Sequence, residues 1–222
     1  MRHALSLAGR GLGQVWPNPA VGCVIVQKGR VVGRGRTQPG GRPHAERVAL
    51  DQAGNDAQGA TAYVTLEPCA HHGQTPPCAD ALIEAGVSRV VVALDDPDAR
   101  VAGRGIAMLR NADIDVVTGV EEVKARRLQD GFLSRVLKGR PALTLKLALT
   151  LDGRIATASG ESRWITGPDA RRRVHAERVR HDAVLVGAGT ARIDDPDLTV
   201  RNLGVSYQPV RIVASRHLRL PA

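Results

Sequence analysis

One ordered set of side chains restricts the folds open to this chain more than any other feature: His44-Ala45-Glu46, then Pro68-Cys69, then Cys78. An imidazole and two thiols so far apart along a chain act together only if the fold returns them to one point. The local sequence predicts how. His44 heads a stretch to Ala53 that reads as a helix, with Ala45, Val48 and Ala49 on one side. Residues 78–86 read as a second helix, opened by Cys78 and closed by Gly86 as a C-terminal cap. Helix N-termini carry partial positive charge and lower thiol pKa values, which keeps sulfur deprotonated and ready for metal.

The rest of the chain alternates apolar runs with helical patterns. Residues 4–12 predict a helix, and Val21 to Val26 a buried strand. Lys28-Gly29-Arg30 is a turn into a partner strand from Val31, which makes a hairpin. Pro39 to Pro43 is a loop. Strands follow at 62–66, 89–94 and 115–117, with a helix at 104–112. Such alternation indicates a layered α/β domain over residues 1–140, ending at Lys138-Gly139-Arg140-Pro141. A second unit, 141–222, predicts strands at 143–149, 183–186 and 210–214 and a helix at 168–180. Aromatic residues are only 2% of the chain, so Val, Leu, Ile and Ala must build the core.

The formal net charge of +9 favours anionic ligands, either phosphorylated metabolites or nucleic acid. The arginines are scattered and lack the interleaved aromatics that stack single-stranded bases. No apolar run approaches the roughly 20 residues of a membrane span, and no signal peptide is read, so the expectation is a cytoplasmic protein without a membrane partner. Three cysteines, an odd number, argue against a disulfide framework. Cys23 lies mid-strand and reads as a small buried hydrophobe.

One His and two Cys provide three ligands for a tetrahedral zinc ion and leave the fourth position to water, which is the catalytic rather than the structural arrangement. His71 and His72 are the nearest residues that could close the shell. Glu46, two residues after His44, would reach that water without binding metal. His-x-Glu followed by Pro-Cys and a second Cys is the pattern of zinc deaminases. Glu46 would take the water's proton, protonate a ring nitrogen, and then protonate departing ammonia. The reading is a zinc-dependent hydrolytic deaminase acting on a pyrimidine.

Two residues usually separate the cysteines of such sites, whereas eight do here, Ala70 to Pro77. The whole segment from Pro68 to Cys78 closely resembles the bifunctional riboflavin-biosynthesis deaminase–reductase family. So do Pro17-Asn18-Pro19-Ala20-Val21-Gly22 and Pro39 to Glu46. Past the linker, Leu145 to Arg154, Ser159 to Thr166 and Asp194 to Arg201 are similar to the family's reductase. The resemblance implies a cytidine-deaminase-like three-layer α/β/α domain followed by the N-terminal part of a dihydrofolate-reductase-like α/β domain. It implies deamination of 2,5-diamino-6-ribosylamino-4(3H)-pyrimidinone 5′-phosphate to the 5-aminouracil, then NADPH-dependent reduction of the ribosyl group. A phosphorylated small molecule suits the basic composition and makes nucleic acid unnecessary as a partner.

Carried over by position, His44, Cys69 and Cys78 hold one zinc ion, Glu46 shuttles protons, and Asn18 and His71 contact substrate. In the second unit Ala148, Trp164, Thr190 and Asp194 would bind NADPH, and Ser162, Arg178, Leu198 and Arg201 the substrate. Gln74 stands where the family places Lys or Arg near the phosphate, and Asp98 where Asn is usual. An amide at 74 brings no charge to that phosphate. The family's reductase is longer than residues 141–222, and a later glycine-rich segment is expected for the cofactor phosphates. A working deaminase beside a reductase that does not turn over is therefore expected, as is a homo-oligomer. Two other readings stay open at this stage. One is a tRNA or DNA base deaminase, disfavoured by the eight-residue insert. The other is a non-catalytic zinc-stabilised module.

Overall fold

The computed structural model describes residues 1–71, 73, 76–98 and 101–218 and divides into two units, Met1–Ala142 and Leu143–Ala222. In the first, helix α1 (Arg2–Gly9) precedes a hairpin of β1 (Gly22–Gln27) and β2 (Arg30–Arg36). Then come α2 (Ala45–Ala53), β3 (Thr61–Val64), α3 (Cys78–Glu84), β4 (Arg89–Val92), α4 (Arg104–Asn111) and β5 (Asp115–Val117). Helices α5 (Glu122–Leu128) and α6 (Asp130–Lys138) close the unit. The five strands form one sheet in the order β2-β1-β3-β4-β5, antiparallel through the first three and parallel beyond. Each predicted strand of this unit forms, within two residues of its expected ends.

The sheet is buried on both sides, which a two-residue periodicity on β1 and β2 makes visible. A Cβ on Gly22 would meet the Ala4 carbonyl of α1. Its neighbour Cys23 pairs with Gly35, and a Cβ on Gly35 would meet the Ala45 carbonyl of α2 at 2.0 Å. Adjacent strand residues face opposite ways, so α1 covers one face and α2 the other. Gly33, also on the α2 side, would clash with the Ala49 carbonyl at 2.2 Å. The two glycines of β2 thus let the α2 backbone lie directly on the strand. That contact fixes the height of the helix carrying His44 and Glu46. Ile25, Val64, Leu66, Leu82, Val90, Val92 and Leu109 fill the centre, aliphatic as the composition requires.

In the second unit α7 (Pro168–Val179), β6 (Ala183–Gly187), α8 (Ala188–Asp194) and β7 (Val210–Ala214) are formed, and β6 and β7 pair in parallel. The strand expected at 143–149 is not. Residues 141–150 have no regular structure, and Leu143 is 89% exposed. Alternating leucines supply the pattern of a strand, but a strand also needs a neighbouring backbone to pair with, and among the described residues β6 and β7 pair only with each other. Among the described residues the apolar side chains buried here are few: Ala191, Leu198, Val200 and Pro209. No helix among the described residues is long and apolar enough to cross a membrane.

Candidate metal centre

His44 occupies the N-cap of α2, a position that usually goes to Ser, Thr, Asp or Asn. Its ring makes no cap bond and turns instead towards the thiols. Nδ1 lies 3.3 Å from Cys78 Sγ and 3.7 Å from Cys69 Sγ. A tetrahedral zinc ion with ordinary Zn–N and Zn–S bonds would set such nitrogen–sulfur pairs about 3.6 Å apart. The three ligand atoms all lie within 4.8 Å of one another, so the donor set fits the ion in number, chemistry and spacing. Among the described residues the cluster stops at three, and His71 is not in it. His72 and Gln74 lie outside the described residues.

The loop between the cysteines is closed by its ends. The Cys78 amide donates to Cys69 Sγ at 3.2 Å, and the Ala79 amide donates to the Cys69 carbonyl at 3.2 Å. The hydrogen bond with the Cys78 thiol, then that with His44 and that from the Cys78 amide, pulls the Cys69 thiol down to about 4, against the opposing effect of burial. Cys78 keeps its proton, pushed up first by that shared bond and then by burial. The His44 ring is raised, chiefly by its bond to Cys69. One sulfur is therefore an anion already, and its partner is poised to exchange a proton for a cation. Cys23 is fully buried and its thiol is pushed well up by burial, as expected of a core hydrophobe.

Glu46 lies in the first turn of α2 and is 3% exposed. Burial, then the Cys69 charge, raises its carboxyl to about 7, while His44 opposes the rise. A carboxyl that gains and loses its proton near neutrality suits a residue that must do both. Glu46 lines a cavity of about 140 Å³ together with Asn18, Arg42, His44, Cys69, His71, Asp96, Asp98, Val101 and Phe132. Asn18 Nδ2 donates to the Gly41 carbonyl at 2.7 Å and lies 3.5 Å from His44 Nε2. His71 Nδ1 is buried with no hydrogen-bond partner among the described residues. The loop bearing Asn18 is tied down by Thr37, whose hydroxyl donates to the Pro19 carbonyl and accepts the Val21 amide.

The pocket thus brings His44 and Cys69 together with Glu46, Asn18, His71 and Asp98. Arg42, Thr37, Glu67, Asp96 and Phe132 had gone unread in the sequence. Arg42 stands two residues before His44. The others reach the site only through the fold.

In the second unit Arg178 donates to the Thr199 carbonyl at 2.8 Å, and the Arg201 amide meets His175 Nδ1 at 3.2 Å. Arg201 also pairs with Asp197. Arg178, Arg201 and the buried Leu198 therefore gather around residues 197–201, where burial and the two arginines push His175 down. Ser162 and Trp164 stand exposed before α7, the Trp164 ring 4.3 Å from the Arg171 guanidinium. Thr190 and Asp194 lie on α8, and Ala148 on the irregular 141–150 stretch. A concavity of about 580 Å³ opens at the carboxyl ends of β6 and β7, walled by Gly189, Arg192, Ser215, Arg216 and His217.

Residues 1–94 match the zinc-binding region of cytidine and deoxycytidylate deaminases, and residues 141–222 match the RibD C-terminal domain. Riboflavin biosynthesis protein RibD of Escherichia coli is 52% identical over 100% of this chain and 60% of its own length. The Haemophilus influenzae protein of that name is 50% identical over 99% of this chain and 62% of its own. Over its whole length the chain is similar to RibD proteins. It spans about three fifths of the length of these curated RibD relatives. The Acinetobacter baumannii RibD structure superposes with a TM-score of 0.90 at 51% identity, covering 99% of this chain and 63% of that one. A Thermotoga maritima diaminohydroxyphosphoribosylaminopyrimidine deaminase/5-amino-6-(5-phosphoribosylamino)uracil reductase gives 0.90 at 46%, covering 96% and 61%. The first unit accordingly has the cytidine-deaminase-like α/β fold of RibD structures.

Proposed function

We propose that this chain hydrolyses the amino group of 2,5-diamino-6-ribosylamino-4(3H)-pyrimidinone 5′-phosphate to give the 5-aminouracil, a deamination in riboflavin biosynthesis. The observation that carries the reading is the convergence of three metal-ligand atoms beside one buried carboxyl at the foot of a pocket. When bound, zinc supplies the Lewis acidity that brings a water's pKa towards neutrality. His44, Cys69 and Cys78 hold it. Glu46 accepts a proton from the attacking water and delivers it to the ring nitrogen beside the amino-bearing carbon. It then carries a second proton to the departing ammonia, acting first as base and then as acid. Asn18 and His71 orient the pyrimidine, the latter through its unpartnered Nδ1. Arg42 supplies a cation for the 5′-phosphate, a role that Gln74 cannot fill by charge. Asp98 accepts where a family Asn would also donate.

For residues 141–222 the proposal is a binding contribution to the family's NADPH-dependent ribosyl reduction rather than turnover, with Ala148, Trp164, Thr190 and Asp194 on the cofactor. Ser162, Arg178, Leu198 and Arg201 would hold the substrate. The boundary between the two activities is placed at 140/141. The protein is proposed to work in the cytoplasm on a small molecule, as a homo-oligomer and without nucleic acid.

The decisive experiment pairs zinc analysis with ammonia release from the diaminopyrimidine phosphate. Wild type should hold one zinc ion and turn over. Glu46→Gln should keep the zinc and lose about 10³-fold or more in rate, as a missing general acid–base does. Zinc retention with unchanged rate would refute the role of Glu46, and no ammonia from zinc-loaded wild type would refute the substrate.

A further inference from the structure

Glu67 is a carboxyl on the wall of the same pocket, two residues before Cys69. It is 3% exposed, and both its oxygens are fully engaged by backbone amides. Oε2 accepts from the amides of Asp96 at 3.2 Å and Gly103 at 3.0 Å. Oε1 accepts from Gly105 at 3.0 Å and Ile106 at 3.2 Å. One oxygen thus joins the two ends of the 96–103 loop, and the other satisfies the first free amides of α4. Such amides otherwise need a cap or water. Gly103, the N-cap residue of α4, makes no side-chain cap bond, so the remote carboxyl does that work.

Two further contacts make this a built junction. The Glu67 amide donates to the Leu94 carbonyl at 2.9 Å, tying the chain after β3 to the chain after β4. A Cβ on Gly105 would lie 2.0 Å from the Pro68 carbonyl, so only glycine lets α4 come so close to the segment that delivers Cys69. The loop held in this way carries Asp96, Asp98 and Val101 into the pocket that His44 and Cys69 also line.

We infer that Glu67 is a positioning residue for substrate: it fastens the Asp96–Asp98 wall at a fixed distance from the metal centre. This rests on the deaminase reading above. Gln in its place keeps the shape but turns one acceptor into a donor facing two amides. Asp keeps both acceptors but is one methylene too short to reach both pairs.

The test uses the full zinc-loaded chain with three readouts: zinc content, steady-state deamination and amide hydrogen exchange. In wild type the amides of Asp96, Gly103, Gly105 and Ile106 should be protected, and fast exchange there would overturn the fastening outright. In Glu67→Gln, KM should rise about tenfold or more through loss of charge-assisted bonds. The zinc should stay, and kcat should remain within about threefold of wild type. Exchange should accelerate at Asp96 and Gly103 while β1 stays protected. Glu67→Asp should show the same KM effect in smaller degree, and it carries the kinetic test if the Gln variant does not fold. Unchanged KM with a lower melting temperature would make Glu67 merely structural. Loss of zinc and kcat together at unchanged KM would mean that it acts through Cys69. Either result overturns the proposal. If zinc-loaded wild type releases no ammonia, the deaminase reading itself falls, and the exchange pattern separates that failure from a failure of the fastening.

Discussion

Gly35→Ala should damage the active centre from the far side of a helix. A Cβ at position 35 would stand 2.0 Å from the Ala45 carbonyl oxygen and 2.7 Å from the Ala49 amide nitrogen. Carbon and carbonyl oxygen tolerate an approach of about 3.3 Å, so α2 would have to retreat by roughly 1.3 Å. Both obstacles are backbone, and no side-chain rotamer relieves them. Ala45 lies between His44 and Glu46, so the retreat moves a metal ligand and the proton carrier together. Overpacking of this kind costs about 1–3 kcal/mol of stability. A misplacement of about 1 Å can cost on the order of 10²-fold in rate. The assay is thermal unfolding alongside ammonia release and zinc content. Gly131→Ala serves as control, because a Cβ there meets nothing within 4 Å and lies in a helix. A Gly35→Ala protein with wild-type rate and stability would refute the claim that β2 sets the height of α2.

Three other outcomes are expected. In the metal-free chain, Glu46 titrates at about 7, against about 4.3 for an unfolded glutamate. The folded state therefore holds that proton more tightly, and the resulting stabilisation is complete below the unfolded value and lost as pH rises through about 7. Urea unfolding of wild type minus Glu46→Gln should show an advantage that shrinks from about pH 4 to about pH 8, and an advantage that grows would contradict the assignment. With zinc chelated, an alkylating reagent should label Cys69 first and leave Cys23 untouched until unfolding, while added zinc protects both site thiols. Mass spectrometry reads this directly, and early labelling of Cys23 would contradict the burial argument. Arg42→Ala should raise KM for the phosphorylated substrate about 10- to 100-fold at nearly constant kcat. The dephosphorylated nucleoside should show no such change, and an equal effect on both would remove Arg42 from the phosphate.

The sheet was legible because its strands are stretches of β-branched residues between Gly- and Pro-rich turns. Val90 to Val92 and Val21 to Val26 have too few polar residues to be anything but interior. The second unit was less legible for a physical reason. Leu143, Leu145, Leu147 and Leu149 alternate as a half-buried strand should, yet pairing is a property of the neighbour as much as of the strand. Periodicity states which face a segment would bury and is silent on whether a partner edge is present. The strands expected at 183–186 and 210–214 do form, and each has its partner in this unit: they register on each other from Ala183–Val210 to Gly187–Ala214.

The site divides in the same way. Ligands and proton carrier must be particular elements at particular spacings, so His44, Glu46, Cys69 and Cys78 announce themselves. Residues that hold the pocket in shape work through main-chain atoms, which every residue has, and so leave a weak mark in the sequence. Glu67 grips four amides that could belong to any side chain, and Thr37 grips one amide and one carbonyl. The feature that marks them is chemical incongruity: a carboxyl and a hydroxyl buried just past the ends of β3 and β2. Both are buried, at 3% and 1% exposure. A polar group buried at that level is costly unless its bonds are made. Its presence in the sequence therefore already implies backbone in need of partners, and the fold reveals whose.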